Sequence, residues 1–141
     1  MKNIQEIKKQ SSEDTNKFMD ECGVFWAFSN QQFLENKTVL KEGEKYISIG
    51  AGGYMPKGNA KKLTEGLNSI AINFKKSVAE NKQREAHILY ELNNHEAFYT
   101  CEIDETLDVL GSDYTSSEVQ AVYKKYKSKK TITQTQNNNY V

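Results

Sequence analysis

The feature that most constrains the fold is a run of apolar residues spaced for one face of an α-helix. They recur at intervals of three and four positions and are Leu63, Leu67, Ile70, Phe74 and Val78. This spacing predicts a helix over about residues 59–79, because every third or fourth side chain of a helix lies on the same face. Gly66 is its one weak point, since glycine disfavours helix interiors. The chain therefore contains at least one long amphipathic helix.

Several short stretches between the helical segments are typical of β-strands. VFWAF at residues 24–28 is apolar and rich in aromatic side chains, which favours a buried strand. Residues 38–40 and 45–49 flank a segment that contains Gly43, and this arrangement predicts a β-hairpin. Residues 97–101 predict a further strand. The sequence thus predicts a small, at least partly antiparallel sheet of three to four strands.

Capping residues and apolar spacing place further helices along the chain. Residues 29–32 and 115–118 both fit a capping box, in which a serine or threonine oxygen accepts a hydrogen bond from a free backbone amide of the helix. The remaining helices are predicted near residues 12–22, 85–92 and 103–110, the last closed by Gly111. Together these elements predict an α+β fold in which about five helices cover the sheet.

The polar ends of the chain set the expected domain boundaries. Residues 1–11 are polar and only weakly periodic, so they predict a loosely docked N-terminal segment. Residues 127–141 are rich in lysine and asparagine and predict a disordered tail. The stretch between them, residues 12–126, is expected to form a single α+β domain that is long enough for one hydrophobic core.

The overall composition excludes several classes of function. The chain is 37% apolar and 27% charged, which is ordinary for a soluble globular protein. Its formal net charge is zero, so no overall field attracts nucleic acid or a membrane surface. No apolar run approaches the ~18 residues that cross a bilayer, and the first residues lack the apolar core of a secretory signal. We therefore expect a cytoplasmic location and no membrane partner.

The charges are nevertheless segregated along the chain. Residues 91–118 contain eight acidic residues and neither lysine nor arginine, whereas residues 120–141 contain five lysines and no acid. The acidic stretch can bind a basic partner, the tail can fold back onto it, or both can be solvated faces without a partner. The tail alone offers only nonspecific attachment to nucleic acid, which makes nucleic acid an unlikely partner. The acidic residues that we expect to bind a partner are Glu102, Asp104, Glu105 and Asp108.

The stretch IGAGGYMPKGNAKKL at residues 49–63 has two interpretations. Its glycines and lysines resemble a loop that cradles an anion, although the spacing fits neither the dinucleotide nor the Walker pattern. The favoured interpretation is structural: the glycines let a strand turn or bulge, and Gly58 or Asn59 caps the following helix. The candidate ligand-binding residues are Gly50, Gly52, Gly53, Tyr54, Lys57 and Asn59, bordered by Trp26, Ser29 and Asn30 if the two strands pair.

The reactive side chains form no recognisable catalytic constellation. His95–Glu96 lacks the second histidine of a zinc-protease helix, and His87 with Glu91 supplies only half of a site. Cys101 with His95 lacks a predicted third group, and it lacks a helix N-terminus that would lower the pKa of the thiol. The two cysteines and two histidines match no zinc-finger spacing. The sequence therefore predicts no catalytic residue, no metal and no cofactor, and it favours a noncatalytic protein over an enzyme.

Four segments together resemble a family of small uncharacterised proteins encoded in phages and mobile elements of gut bacteria. These segments are FWAFSNQQF, YISIGAGGYMPKGNA, ELNNHEAFYTCEIDETLDVL and SSEVQAVY, and the resemblance covers roughly residues 22–126. It carries no catalytic signature, so it transfers no functional residue. It implies a small protein that binds or inhibits a host factor.

The sequence thus leads to two functional hypotheses. The first is a noncatalytic interaction protein that binds a host protein through its acidic surface. The alternative is a protein that binds a small anionic ligand or a nucleotide at the Gly50–Asn59 loop. The sequence leaves the identity of the partner or ligand and the oligomeric state open.

Overall fold

The computed structural model describes the backbone of residues 1–138 and the side chains of residues 1–129. The described chain divides into two compact units. We call Gln5–Ser77 the sheet unit, and Met1–Ile4 with Val78–Val141 the helical unit. The α-helices are α1 (Ile4–Glu21), α2 (Asn30–Asn36), α3 (Ala60–Glu80), α4 (Arg84–Asn94), α5 (Ala97–Thr100), α6 (Asp104–Leu110) and α7 (Ser116–Asn138). The strands are β1 (Phe25–Trp26), β2 (Tyr46–Gly50) and β3 (Gly53–Pro56).

These elements confirm the α+β class. The strands form one antiparallel sheet in the order β1-β3-β2, with Phe25 opposite Tyr54 and Ile47 opposite Met55. A change of register between Ser48 and Gly50 produces a bulge at the end of β2. None of the described helices combines the length and the apolarity that a membrane span requires.

The predicted hairpin between residues 38–40 and 45–49 is wrong. Residues 38–40 form no strand, and β2 pairs with β3 instead. Side-chain hydrogen bonds hold Thr38, since its hydroxyl donates to the Gly23 carbonyl and its own carbonyl accepts from the Tyr46 hydroxyl. The hairpin therefore forms one segment later in the chain, around the glycines that follow Ile49.

The core of the sheet unit includes Leu63 from the predicted apolar stripe of α3, and Leu67 packs against it. Its buried residues are Cys22, Val24, Met55 and Leu63. The structure confirms the helix predicted over residues 59–79 and explains Gly66, because a Cβ atom there would lie 2.0 Å from Cζ of Phe18. The Phe18 ring packs against this core. Glycine thus weakens α3 locally but makes room for an aromatic ring.

The core of the helical unit consists mainly of aliphatic side chains from α4 to α7. Its buried residues are Ile88, Leu92, Ala97, Leu110, Val119 and Val122. The predicted helices over residues 85–92 and 103–110 are confirmed as α4 and α6. Gly111 follows α6 with a φ of +69°, consistent with its predicted closing role.

The strand predicted over residues 97–101 is wrong, because these residues form the short helix α5. The amide of Cys101 donates to the Ala97 carbonyl over 2.9 Å, and that of Thr100 donates to the Glu96 carbonyl over 3.0 Å. Glu96 and Cys101 both have a left-handed backbone, with φ of 54° and 63°. Ala97, the first residue of this single helical turn, is completely buried.

The two ends of the chain are more helical than their composition predicts. Helix α1 begins at Ile4, ahead of the expected start at residue 12, and both Ile4 and Ile7 are buried. Helix α7 continues to Asn138, through most of the segment for which we predicted disorder. Lysine and glutamine are good helix formers, so a polar composition alone does not prevent a helix. Residues 139–141 of the predicted tail lie outside the described residues, and the single domain over residues 12–126 stays a prediction.

Candidate functional site

The glycine-rich stretch forms the turn between β2 and β3. Gly50, Ala51 and Gly52 all have positive φ, at 91°, 51° and 83°. Glycine adopts this backbone without the steric penalty that other residues incur. The Gly52 carbonyl accepts a hydrogen bond of 2.9 Å from the Ala27 amide, which ties the turn to the chain after β1. The structure thus contains the sharp turn and the bulge of the favoured structural interpretation.

Two of these glycines make room for exposed aromatic rings. A Cβ atom on Gly52 would lie 2.3 Å from Cε1 of Phe28, and one on Gly53 would lie 2.8 Å from Cζ3 of Trp26. Trp26 is also opposite Gly53 in the sheet register. Trp26 therefore borders the turn, as expected if the strands pair. The close approach of the rings gives both glycines a packing role that is independent of any ligand.

Lys57 and Asn59 lie at the other end of β3 from this turn. The strand comprises four residues, so it separates the two groups by ~10 Å. The Lys57 amide donates to the Lys45 carbonyl over 2.8 Å, and the Asn59 side-chain amide donates to the Cys22 carbonyl over 2.8 Å. The structure therefore does not gather the predicted ligand-binding residues around one point.

The remaining residues predicted to border this loop have structural contacts. Ser29 caps α2 by accepting from the Gln32 amide over 3.1 Å, which confirms the predicted capping interaction. The Gln32 side chain accepts in turn from the Phe28 amide over 2.8 Å. Tyr54 stacks on the Phe25 ring with centroids 5.8 Å apart. Asn30 is exposed at the first position of α2.

The predicted partner-binding residues occupy one short segment of the helical unit. We call Glu102, Asp104, Glu105 and Asp108 the acidic surface, and all four are exposed. Asp104 and Glu105 lie in the first turn of α6, where the helix dipole favours negative charge. Asp108 lies four residues after Asp104 and therefore on the same side of the helix. The structure thus presents these carboxylates to solvent on consecutive turns.

The nearby cations are paired with other acids. Lys125 Nζ lies 2.6 Å from a carboxylate oxygen of Glu85, and the Arg84 guanidinium forms an ion pair with Glu118. Within the described residues, no lysine or arginine forms an ion pair with the acidic surface. The described part of α7 therefore forms no ion pair with the acidic surface.

These ion pairs also change the pKa values of their members. The hydrogen bond from Arg84 holds the pKa of the Glu118 carboxyl below its ordinary value, and the bond from Lys125 does the same to the pKa of Glu85. Arg84 also lies over the Tyr114 ring, 4.0 Å from its centroid. Burial raises the pKa of the Tyr114 hydroxyl. Arg84 thus joins the start of α4 to the segment that precedes α7.

Two exposed apolar side chains flank the acidic surface in sequence. Tyr99 is 89% exposed at the end of α5, and Val109 is 56% exposed next to Asp108. Such side chains contribute most to an interface when a partner removes them from water. The segment therefore combines exposed carboxylates with exposed apolar side chains.

The sequence analysis missed the environment of His95. Its Nε2 atom lies 3.4 Å from the Glu91 carboxylate, and its Nδ1 atom lies 3.5 Å from the Glu105 carboxylate. His87 instead has its Nδ1 atom 2.6 Å from the Tyr114 hydroxyl. The spacing of four residues between Glu91 and His95 was a signal for the first contact. The contact with Glu105 depends on the packing of α6 against α4 and has no local signal.

The described residues contain no group of three or more histidine, cysteine, aspartate or glutamate side chains arranged to hold a metal ion. Cys22 is buried in the core of the sheet unit, and burial raises the pKa of its thiol. Cys101 is exposed, with its Sγ atom 3.9 Å from Nζ of Lys127. The two thiols thus have different surroundings.

Comparison with known proteins places the chain in a family. No curated protein and no solved structure matches it. The model of one family, described as a family of unknown function (DUF7659), matches residues 3–129. That match extends beyond residues 22–126, the segment over which the sequence resembles a family of small uncharacterised proteins. Because it covers most of the sequence, the chain belongs to the DUF7659 family of unknown function.

Proposed function

We propose that this protein is a noncatalytic interaction protein that binds a basic protein partner through the acidic surface. The observation that supports this proposal is the exposure of four carboxylates on one short segment, without an ion pair to any described lysine or arginine. Surface charges of one sign attract a partner of the opposite sign over roughly a Debye length, ~8 Å at physiological salt.

Tyr99 and Val109 give this proposal a source of affinity in addition to charge. Electrostatic complementarity mainly raises association rates and specificity, whereas buried aromatic and aliphatic side chains slow dissociation. A partner that carries a basic patch beside an apolar contact fits both properties. The resemblance to small phage-encoded proteins supports a finer proposal, in which the partner is a host protein and its activity is inhibited.

A charge-reversal experiment tests the acidic surface. The variant replaces Glu102, Asp104, Glu105 and Asp108 with lysine. The matched control reverses four exposed acids of α1, Glu13, Asp14, Asp20 and Glu21, and so changes the net charge equally. Binding of a fluorescent decalysine peptide is measured by fluorescence polarisation, after circular dichroism has verified that both variants are folded.

We expect the acidic-surface variant to bind decalysine at least ~10-fold more weakly than wild type, and the α1 variant to retain most of the affinity. Mass spectrometry of proteins captured from a host lysate then identifies the natural partner. Equal loss in both variants would show that net charge governs binding, and it would refute a dedicated surface. Unchanged binding in both would refute it as well.

The alternative, an anionic ligand at the Gly50–Asn59 loop, has less support, because Lys57 and Asn59 lie at the far end of β3 from the turn. A thermal-shift screen with phosphate and nucleotides tests it. A ligand at 100 times its dissociation constant adds ~2.7 kcal/mol to the free energy of unfolding. If no ligand raises the melting temperature, the alternative is refuted.

A further inference from the structure

His95 lies between a buried carboxylate and an exposed one. It follows the last residue of α4, and its side chain is 21% exposed. Glu91, one turn earlier in α4, is 4% exposed at its side chain, whereas Glu105 on α6 is 82% exposed. The ring therefore connects the interior of the helical unit with a member of the acidic surface.

The protonation state of the ring decides how many of these carboxylates it can bind. A neutral imidazole has one N–H donor, so one of its two nitrogens presents a lone pair to a carboxylate. The Nε2 atom is buried and has no hydrogen-bond partner within the described residues. A protonated imidazole carries one positive charge and an N–H donor on each nitrogen. It can therefore donate a hydrogen bond to the Glu91 carboxylate and another to the Glu105 carboxylate.

Within the described residues, few charged groups lie near the His95 ring. Glu96, the next residue in the chain, is exposed at the start of α5. Within the described residues, α7 contributes neither a hydrogen bond nor an ion pair to His95. The charged groups in contact with the ring are thus Glu91 from its own helix and Glu105 from α6.

We infer that His95 is a proton-operated switch, in which protonation of the imidazole weakens the acidic surface. This inference rests on the proposed function, because the switch acts on the same surface. A proton from solvent adds to the imidazole, and the resulting cation pairs with Glu105 and Glu91. Glu105 then no longer attracts a basic partner with its full charge.

Binding of the fluorescent decalysine peptide at about pH 8 and about pH 6, at constant ionic strength, tests the switch. We expect the wild-type affinity to fall about fivefold at the lower pH, as the gain of one nearby charge implies. His95→Gln should abolish most of this difference. His87→Gln is the matched control, since it removes the other histidine of the chain, which contacts Tyr114, and should retain the difference.

The outcomes separate the two proposals. If wild type does not bind decalysine at about pH 8, the proposed function fails, and the inference about its regulation fails with it. If wild type binds but His95→Gln keeps the same pH dependence, the inference fails alone. Loss of pH dependence in both histidine variants also contradicts it, because the effect would not be specific to His95.

A second measurement, an NMR titration, uses the wild-type protein alone and needs neither a binding partner nor a variant. The carboxyl carbon of Glu105 is followed by NMR between about pH 8 and about pH 6, together with the ring protons of His95. We expect the Glu105 signal to shift in step with the His95 titration, because protonation places a cation beside that carboxylate. If the Glu105 signal stays unchanged while the ring protons of His95 shift, the inference is wrong.

Discussion

The sheet unit contains a cluster of contacting aromatic rings, whereas the buried core of the helical unit is aliphatic. In the sheet unit, Phe25, Phe33, Tyr46 and Tyr54 contact one another with ring centroids 5.1–5.8 Å apart. The buried core of the helical unit contains leucine, isoleucine, valine and alanine. Three other rings of the sheet unit, those of Phe18, Trp26 and Phe28, lie where a Cβ atom on a glycine would meet them.

The two units also differ in how they use polar groups. In the sheet unit, Ser29 and Asn59 form hydrogen bonds within the fold, although both were candidates for ligand binding. In the helical unit, the four carboxylates of the acidic surface have no lysine or arginine partner among the described residues. We conclude that an exposed polar side chain is a better candidate for binding than one that forms a hydrogen bond within the fold.

The largest expected effect is a difference in the reactivity of the two thiols. Cys101 is exposed in the helical unit, whereas Cys22 is fully buried in the sheet unit. Labelling of Cys22 requires local opening, and its raised pKa also lowers the thiolate fraction. We expect Cys22 to react at least ~1,000-fold more slowly, equivalent to ~4 kcal/mol.

The rates are measured with a chromogenic disulfide reagent on Cys22→Ser and Cys101→Ser, so that each variant reports one thiol. Both thiols should react at similar rates in denaturant, which is the control for intrinsic reactivity. Comparable rates in the native protein would contradict the burial of Cys22.

The next effect concerns the aliphatic core of the helical unit. Leu92 is fully buried, so Leu92→Ala should lower the free energy of unfolding by ~3 kcal/mol through lost burial and a residual cavity. Leu34→Ala in the sheet unit is the matched control, because Leu34 is 65% exposed and should cost less than ~0.5 kcal/mol. Urea unfolding followed by circular dichroism measures both, and equal losses would contradict the assignment of the core.

A smaller effect tests whether glycine makes room for a ring in the sheet unit. Gly66→Ala would ordinarily stabilise a helix interior by ~1 kcal/mol. Here we expect a loss of ~1–2 kcal/mol, because the new Cβ atom would lie 2.0 Å from Cζ of Phe18 and displace the ring. Thermal unfolding of the purified variant measures the sign and the size of the change.

Phe18→Ala provides the control for this prediction. In that background the ring is absent, so adding Gly66→Ala should stabilise the protein by roughly the ordinary helix propensity, ~1 kcal/mol. If Gly66→Ala has the same sign in both backgrounds, the proposed reason for this glycine is wrong.

The sequence predicted those parts of the fold that local patterns determine. The apolar stripe of α3 and the capping interaction between Ser29 and Gln32 both depend on residues close together in the chain, and both were found. The predictions for residues 38–40 and 97–101 were wrong, because short stretches take their conformation from tertiary contacts. Thr38 is held by side-chain hydrogen bonds, and Ala97 by burial.

The candidate site was predictable to a similar degree. The exposure of Asp104 and Asp108 follows from a charge pattern within one helix, so the sequence could suggest it. The contact between His95 and Glu105 depends on how α4 and α6 pack, and no pattern in the chain encodes that distance. The distance between Gly50 and Lys57 could not be predicted either, because it depends on the strand that lies between them.

The smallest expected effect concerns the ion pair between Arg84 and Glu118 in the helical unit. The hydrogen bond from Arg84 lowers the pKa of Glu118, so its contribution to stability is present above the unfolded value of ~4.3 and is lost as the pH falls through the lower folded value. Glu118→Gln should therefore cost ~0.5 kcal/mol near pH 7, since Arg84 is about half exposed, and almost nothing near pH 3. Glu102→Gln is the control, because this exposed residue has no ion pair among the described residues and should change stability at neither pH. Thermal unfolding at both pH values measures the difference, and a cost for Glu118→Gln that persists near pH 3 would show that its side chain stabilises the unit by packing rather than by charge.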